Sequence, residues 1–121
     1  MTNFFNPAIF LEVARRLKDH VNLDDQGKIR TVIGRVYYAA FLTTREYLKK
    51  YKGRNFSKER QHQDVIDALD DLNEYDLKNW LETLRDNRIS ADYCLNITLD
   101  IGICEKCLNI SNEIINSIEG F

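Results

Sequence analysis

The stretch Ile29–Tyr51, IRTVIGRVYYAAFLTTREYLKKY, constrains this chain most, because it has neither a proline nor an internal polar break and reads as one long helix. Ile29, Ile33, Val36, Tyr37, Ala40, Phe41, Leu48 and Tyr51 recur at helical spacing and form a wide stripe to be buried against other helices. Tyr38 and Leu42 project from the opposite side, beside Arg35 and Arg45. Two readings of that second side stay open: its own domain covers it, or it offers a surface to a partner.

The remaining segments read as helices that could surround this one. Asn6-Pro7 is an N-cap followed by a residue suited to the first helical position, and Phe10, Val13, Ala14, Leu17 and Val21 then share one face. The polar run from Asn22 to Gly27 turns the chain back. Gly53 suits a left-handed helix end, Ser57 can cap a third helix with Val65, Ile66, Leu69 and Leu72 inward, and Asn73-Glu74 mark its end. His62 falls one turn ahead on the same stripe. A fourth helix from about Asp76 carries Leu77, Trp80, Leu81 and Leu84 inward and extends to about Leu95. Asn96 or Thr98 can cap the last, where Ile103, Cys107, Ile110, Ile114 and Ile118 form a stripe widened by Cys104, Leu108 and Ile115. With no strand-like alternation and no repeat, the expectation is a single domain over residues 1–121, an all-α up-and-down bundle of about five helices.

The net charge of −2 gives no global attraction to nucleic acid, so any such binding needs a local patch. Arg45, Lys49, Lys50, Lys52, Arg54, Lys58 and Arg60 stand against only Glu46 and Glu59, and an acidic run from Asp64 to Asp86 follows. Each run is either a solvated face or a docking surface, for phosphates in the first case and for a basic partner in the second. No charged and apolar leader opens the chain and no apolar run reaches bilayer length, so the expectation is a cytoplasmic protein without membrane association. Cys94, Cys104 and Cys107 are then expected to be free thiols. Cys104 and Cys107 are spaced as C-x2-C without a second pair, and read as small apolar side chains rather than zinc ligands. Neither a metal nor a cofactor is expected.

Arg88 is the sharper signal. Extending the Leu77, Leu81, Leu84 stripe by helical spacing brings position 88 inward, followed by Ala91 and Leu95. A desolvated arginine needs an anion, and Asp92 lies one turn on, with Arg85 one turn before. Arg85, Arg88 and Asp92 are expected to share a site, either as a structural Arg88–Asp92 pair or as a phosphate clamp. His62 is by default a satisfied structural histidine; to act as an acid or base it must reach the arginines from another helix.

The run Arg30-Thr31-Val32-Ile33-Gly34-Arg35-Val36-Tyr37-Tyr38-Ala39-Ala40-Phe41 resembles the R-x-x-x-x-R-x-Y-Y-A-A-F signature of small prokaryotic HEPN proteins. Leu84-Arg85-x-x-Arg88-x-x-Ala91-Asp92-Tyr93 resembles that family's L-R-x-x-R-x-x-A-D-Y segment, and His62 with Val65 resembles the opening of its third helix. The resemblance implies a HEPN-like bundle that dimerises, with Arg88 near the cleft, and a place in a toxin–antitoxin or phage-defence module that binds or cleaves RNA. A metal-independent endoribonuclease of this kind carries R-x4-6-H. Here Ile89, Ser90, Ala91, Asp92, Tyr93, Cys94 and Leu95 follow Arg88 and include no histidine. Arg88, His62 and Tyr93 are the catalytic candidates, and Arg35, Tyr38, Arg85 and Asp92 the candidates for holding RNA phosphate. The alternative is a non-catalytic module for dimerisation or for binding a protein such as a nucleotidyltransferase-like antitoxin.

Overall fold

A computed structural model describes residues 5–19 and 26–120 of the chain. Five helices follow one another: α1 (Ile9–Asp19), α2 (Gln26–Lys52), α3 (Gln61–Asp71), α4 (Tyr75–Tyr93) and α5 (Ile101–Glu119), with no strand among the described residues. The chain is an all-α helical bundle. Helix α2 is packed against each of the other four, and one hydrophobic cluster takes side chains from all five. Among the described residues no helix is long and apolar enough to cross a membrane.

The helix ends follow local chemistry. The Asn6 side chain accepts from the Ala8 amide at 3.0 Å. Gly53 adopts φ 64° beyond α2, and the Arg54 amide donates back to the Leu48 carbonyl at 3.2 Å. After α3, Asn73 takes φ 59°. Its amide donates to Asp70 O at 3.1 Å and that of Glu74 to Leu69 O at 2.9 Å, the paired bonds that close a helix through a left-handed residue. Asn serves there because it is among the few non-glycine residues that tolerate this region.

Several expectations shift. In α1 the buried residues are Leu11 and Ala14, while Val13 is 46% exposed: the helix packs against both α2 and α5, which turns its face toward Leu11. Tyr51 is 66% exposed because the 27-residue α2, about 40 Å long, outruns the 11-residue α1 and α3 beside it. Ser57 does not cap α3 directly. Its hydroxyl accepts from the Arg60 amide at 3.2 Å and so holds the turn before the helix. Helix α5 is capped by Asp100, whose carboxylate accepts from the Ile103 amide at 3.0 Å, rather than by Asn96 or Thr98. Leu95 lies beyond the end of α4 and is 80% exposed. Helix α2 starts at Gln26, inside the expected turn, and His20, Val21 and residues 22–25 lie outside the described residues.

The first turns of α2 fix where α4 ends. One Nη of Arg30 donates to the carbonyls of Ala91 and Cys94 at 2.9 and 3.2 Å, and the other to Ile97 O at 2.7 Å. The Gln26 amide brackets Leu99, donating to its carbonyl at 2.7 Å and accepting from its amide at 3.0 Å. A cation at a helix C-terminus satisfies orphan carbonyls and complements the helix dipole.

Candidate functional site

Three helices bring aromatic, imidazole and guanidinium groups together. Tyr37, Phe41 and Arg45 lie on successive turns of α2, with Tyr38 beside them; α3 supplies His62 and α4 supplies Arg85 and Arg88. The His62 ring stacks on Phe41 at 4.2 Å between centroids and lies nearly parallel to Tyr37 at 5.6 Å. Its Nδ1 shares a 2.5 Å hydrogen bond with the Tyr37 hydroxyl. The histidine is thus bound to the same rings that Arg45 and Arg88 stand over.

Each arginine is incompletely neutralised. The Arg88 guanidinium stands over the rings of Tyr37 and Tyr38, at 5.7 and 5.5 Å, and donates to the Tyr38 hydroxyl at 3.3 Å. Its Nε is 3.1 Å from Asp92 Oδ2, an ion pair, but the N–H is not aligned with the carboxylate and makes no hydrogen bond. Arg85 donates to Gln63 Oε1 at 3.2 Å. Arg45 stands 6.0 Å over the Phe41 ring and donates to Gln61 Oε1 and Glu46 Oε1, both at 3.0 Å. The Nε atoms of Arg45, Arg85 and Arg88 are all buried and make no hydrogen bond.

The electrostatics follow. Burial first, and then the fields of Arg85, Arg88 and Arg45, lower the pKa of His62 below its ordinary value, so the ring is neutral at pH 7. Burial raises the pKa of Tyr37 against the opposing pull of Arg85 and Arg88, and the phenol keeps its proton. A neutral imidazole among cations can accept a proton, and once protonated it gives it up readily.

The expected trio of Arg85, Arg88 and Asp92 is therefore divided: Arg88 pairs with Asp92, while Arg85 turns to Gln63 on α3. His62 lies within the fields of Arg85, Arg88 and Arg45. Arg35 stacks over Phe10 at 5.4 Å and joins Arg30, Thr31, Gly34, Tyr38 and Asp92 around a shallow groove of about 240 Å³, which adjoins Arg88 through Tyr38 and Asp92. Tyr93 stands apart. It is 70% exposed and lies roughly 140° around α4 from Arg88, whereas Asp92 is only about 40° away. Sequence reasoning missed Tyr37, Arg45 and Gln63 as parts of the site: it put Tyr37 and Phe41 on the buried stripe and Arg45 on the opposite side, although the i, i+4, i+8 spacing of the three was a signal that they share a face. Cys104 and Cys107 are buried free thiols pushed up to about 11, and Cys94 is also free. Among the described residues no group of side chains has the makings of a metal site.

No protein-family model matches the chain, and no solved structure matches it. Two proteins of the archaeon Methanocaldococcus jannaschii are similar in sequence. Uncharacterized protein MJ0992 is 46% identical over 46 residues, covering 38% of this chain and 26% of that protein. Uncharacterized protein MJ0628 is 35% identical over 129 aligned positions, covering 93% of this chain and 78% of that protein. At that identity and coverage, the chain belongs to the family of MJ0628.

Proposed function

We propose that this protein is a HEPN-type component of a toxin–antitoxin or phage-defence module, cytoplasmic and dimeric, that binds RNA at the arginine cluster and cleaves it without a metal. The observation that carries the reading is a neutral histidine lying in the fields of three arginines whose buried Nε atoms make no hydrogen bond. Such a cluster favours an anion, and a phosphodiester supplies one together with a reaction that a neutral imidazole can assist. In the tautomer whose Nδ1–H donates to Tyr37, His62 Nε2 is free to accept the proton of the ribose 2′-hydroxyl. That oxygen attacks the adjacent phosphorus, the bond to the 5′-oxygen breaks, and imidazolium returns the proton to the leaving oxygen. The products are a 2′,3′-cyclic phosphate and a 5′-hydroxyl. Arg88 and Arg85 neutralise the phosphate, and His62 takes the part that the missing histidine after Arg88 would have had.

The test is cleavage of total RNA by purified protein in chelator, with Arg88→Ala and His62→Ala as paired controls. Cleavage by wild type alone supports the reading. No cleavage by wild type, with all three proteins folded, refutes the catalytic part. The second reading then stands, a non-catalytic dimerisation or interaction module for a partner such as a nucleotidyltransferase-like antitoxin. It is favoured by one observation: Asp92 and the exposed Tyr93 occupy the segment where a histidine would follow Arg88.

A further inference from the structure

The second side of α2 is not fully covered by the described chain. A groove of about 700 Å³ lies along it, with Phe5 and Leu42 as apolar walls and Arg45, Lys49 and Lys50 as cationic ones; among the described residues Glu46 is the one acidic side chain lining it. Phe5 is 56% exposed, although its ring meets Phe10 at 5.0 Å. Arg45 and Lys49 also line an adjoining hollow of about 260 Å³ with Asn55, Phe56 and Gln61. The two hollows therefore share Arg45 and Lys49, with Phe5 on one side and Phe56 on the other. Arg45 lines the groove and also stands over Phe41, on which the His62 ring stacks, so it is the side chain that links the groove to the arginine cluster.

We infer that this groove holds one unpaired nucleotide of single-stranded RNA next to the phosphate at the arginine cluster. This rests on the RNA reading above and specifies its substrate class. Exposed aromatic and aliphatic surface suits a base whose faces are free, and a cationic rim suits the phosphates between bases. A duplex has no free base faces to offer, so its backbone would leave the apolar walls uncovered. Glu46 already faces Arg45 at 3.0 Å and Lys49 at 3.7 Å, but Lys50 has no carboxylate partner among the described residues and lies 5.2 Å over the Tyr51 ring. In a chain of net charge −2 this is a local cationic excess, the condition for nucleic-acid binding set by the composition. The volume is that of a site for a small ligand or one nucleotide, not of a helix-binding cleft.

The experiment is fluorescence anisotropy with a short labelled oligoribonucleotide of mixed sequence, single-stranded or annealed to its complement, in chelator. The variants are Phe5→Ala, Lys50→Gln and Arg88→Ala, each checked by its melting curve. The expected result is tighter binding of the single strand than the duplex, with Phe5→Ala weakening only the single strand, on the order of tenfold. Lys50→Gln should weaken single-strand binding and flatten its salt dependence. If the single strand binds and Arg88→Ala weakens it while Phe5→Ala and Lys50→Gln bind as wild type, the groove is overturned and RNA binding at the cluster stands. Displacement of the oligonucleotide by polyglutamate at equal charge concentration would overturn the inference in favour of an acidic protein segment. Binding of neither RNA form by wild type would overturn the RNA reading itself.

Discussion

Arg88→Ala separates a structural arginine from a functional one, and the structure sets the magnitude. The substitution removes a half-exposed ion pair, since the Arg88 side chain is 18% exposed and that of Asp92 is 40% exposed; such a pair contributes about 0.5–1 kcal/mol. It also removes the placement over two tyrosine rings, about 0.5–1 kcal/mol each, and one long hydrogen bond to Tyr38, about 1 kcal/mol. Against these stands relief of a buried, unbonded Nε, about 1–3 kcal/mol. The net cost is about 1 kcal/mol, or a fall of about 4 °C in Tm for a domain of this size. The assay is a thermal melt at pH 7 by circular dichroism, run beside RNA binding and cleavage. A fall of roughly 12 °C or more, about 3 kcal/mol, would refute the reasoning, because that is the scale of breaking a buried structural pair. A fall of only about 4 °C together with lost RNA affinity is the expected signature of an arginine kept for its ligand.

Arg30→Ala should cost about 2–4 kcal/mol in a urea melt, because it strips charge-assisted bonds from several carbonyls at once, and Arg30→Lys should recover less than half since an ammonium cannot span them. By NMR, His62 should titrate with its midpoint below 6.5, and Arg85→Gln should move it upward. The folded pKa lies below the unfolded one, so the unfolded chain binds the proton first. The stability tied to His62 is complete above about pH 6.5 and declines as pH falls through the folded value, a decline that His62→Phe should abolish. Cys94 should react with a thiol reagent at pH 8 well before Cys104 and Cys107, whose burial raises them to about 11 and blocks access; equal rates for all three would contradict the packing of α5.

Helix identity and several helix ends were legible because they are local, although the caps of α3 and α5 were misplaced by a few residues. Gly53, Asn73 and the stripe through Leu77, Leu81 and Leu84 need only near neighbours, and the same periodicity put Arg88 on the inward face. Where an end depended on a distant group, local reading failed: Arg30 and Gln26 come from α2 to bind backbone around the end of α4, and that dependence leaves no trace in spacing. The departure of Tyr93 from the candidate site follows from rotation about α4, which sequence adjacency to Asp92 conceals.

By itself the sequence determined an all-helical chain with one central helix, an inward-facing Arg88 and an isolated basic segment, since each follows from composition and a 3.6-residue period. Tertiary packing alone decided that Tyr37 bonds to His62, that Arg85 turns to Gln63, and that Arg45 joins a groove to the arginine cluster. Those contacts depend on the relative rotation and axial offset of three helices. The interlocking of many side chains sets both quantities, and no periodicity within one segment specifies them.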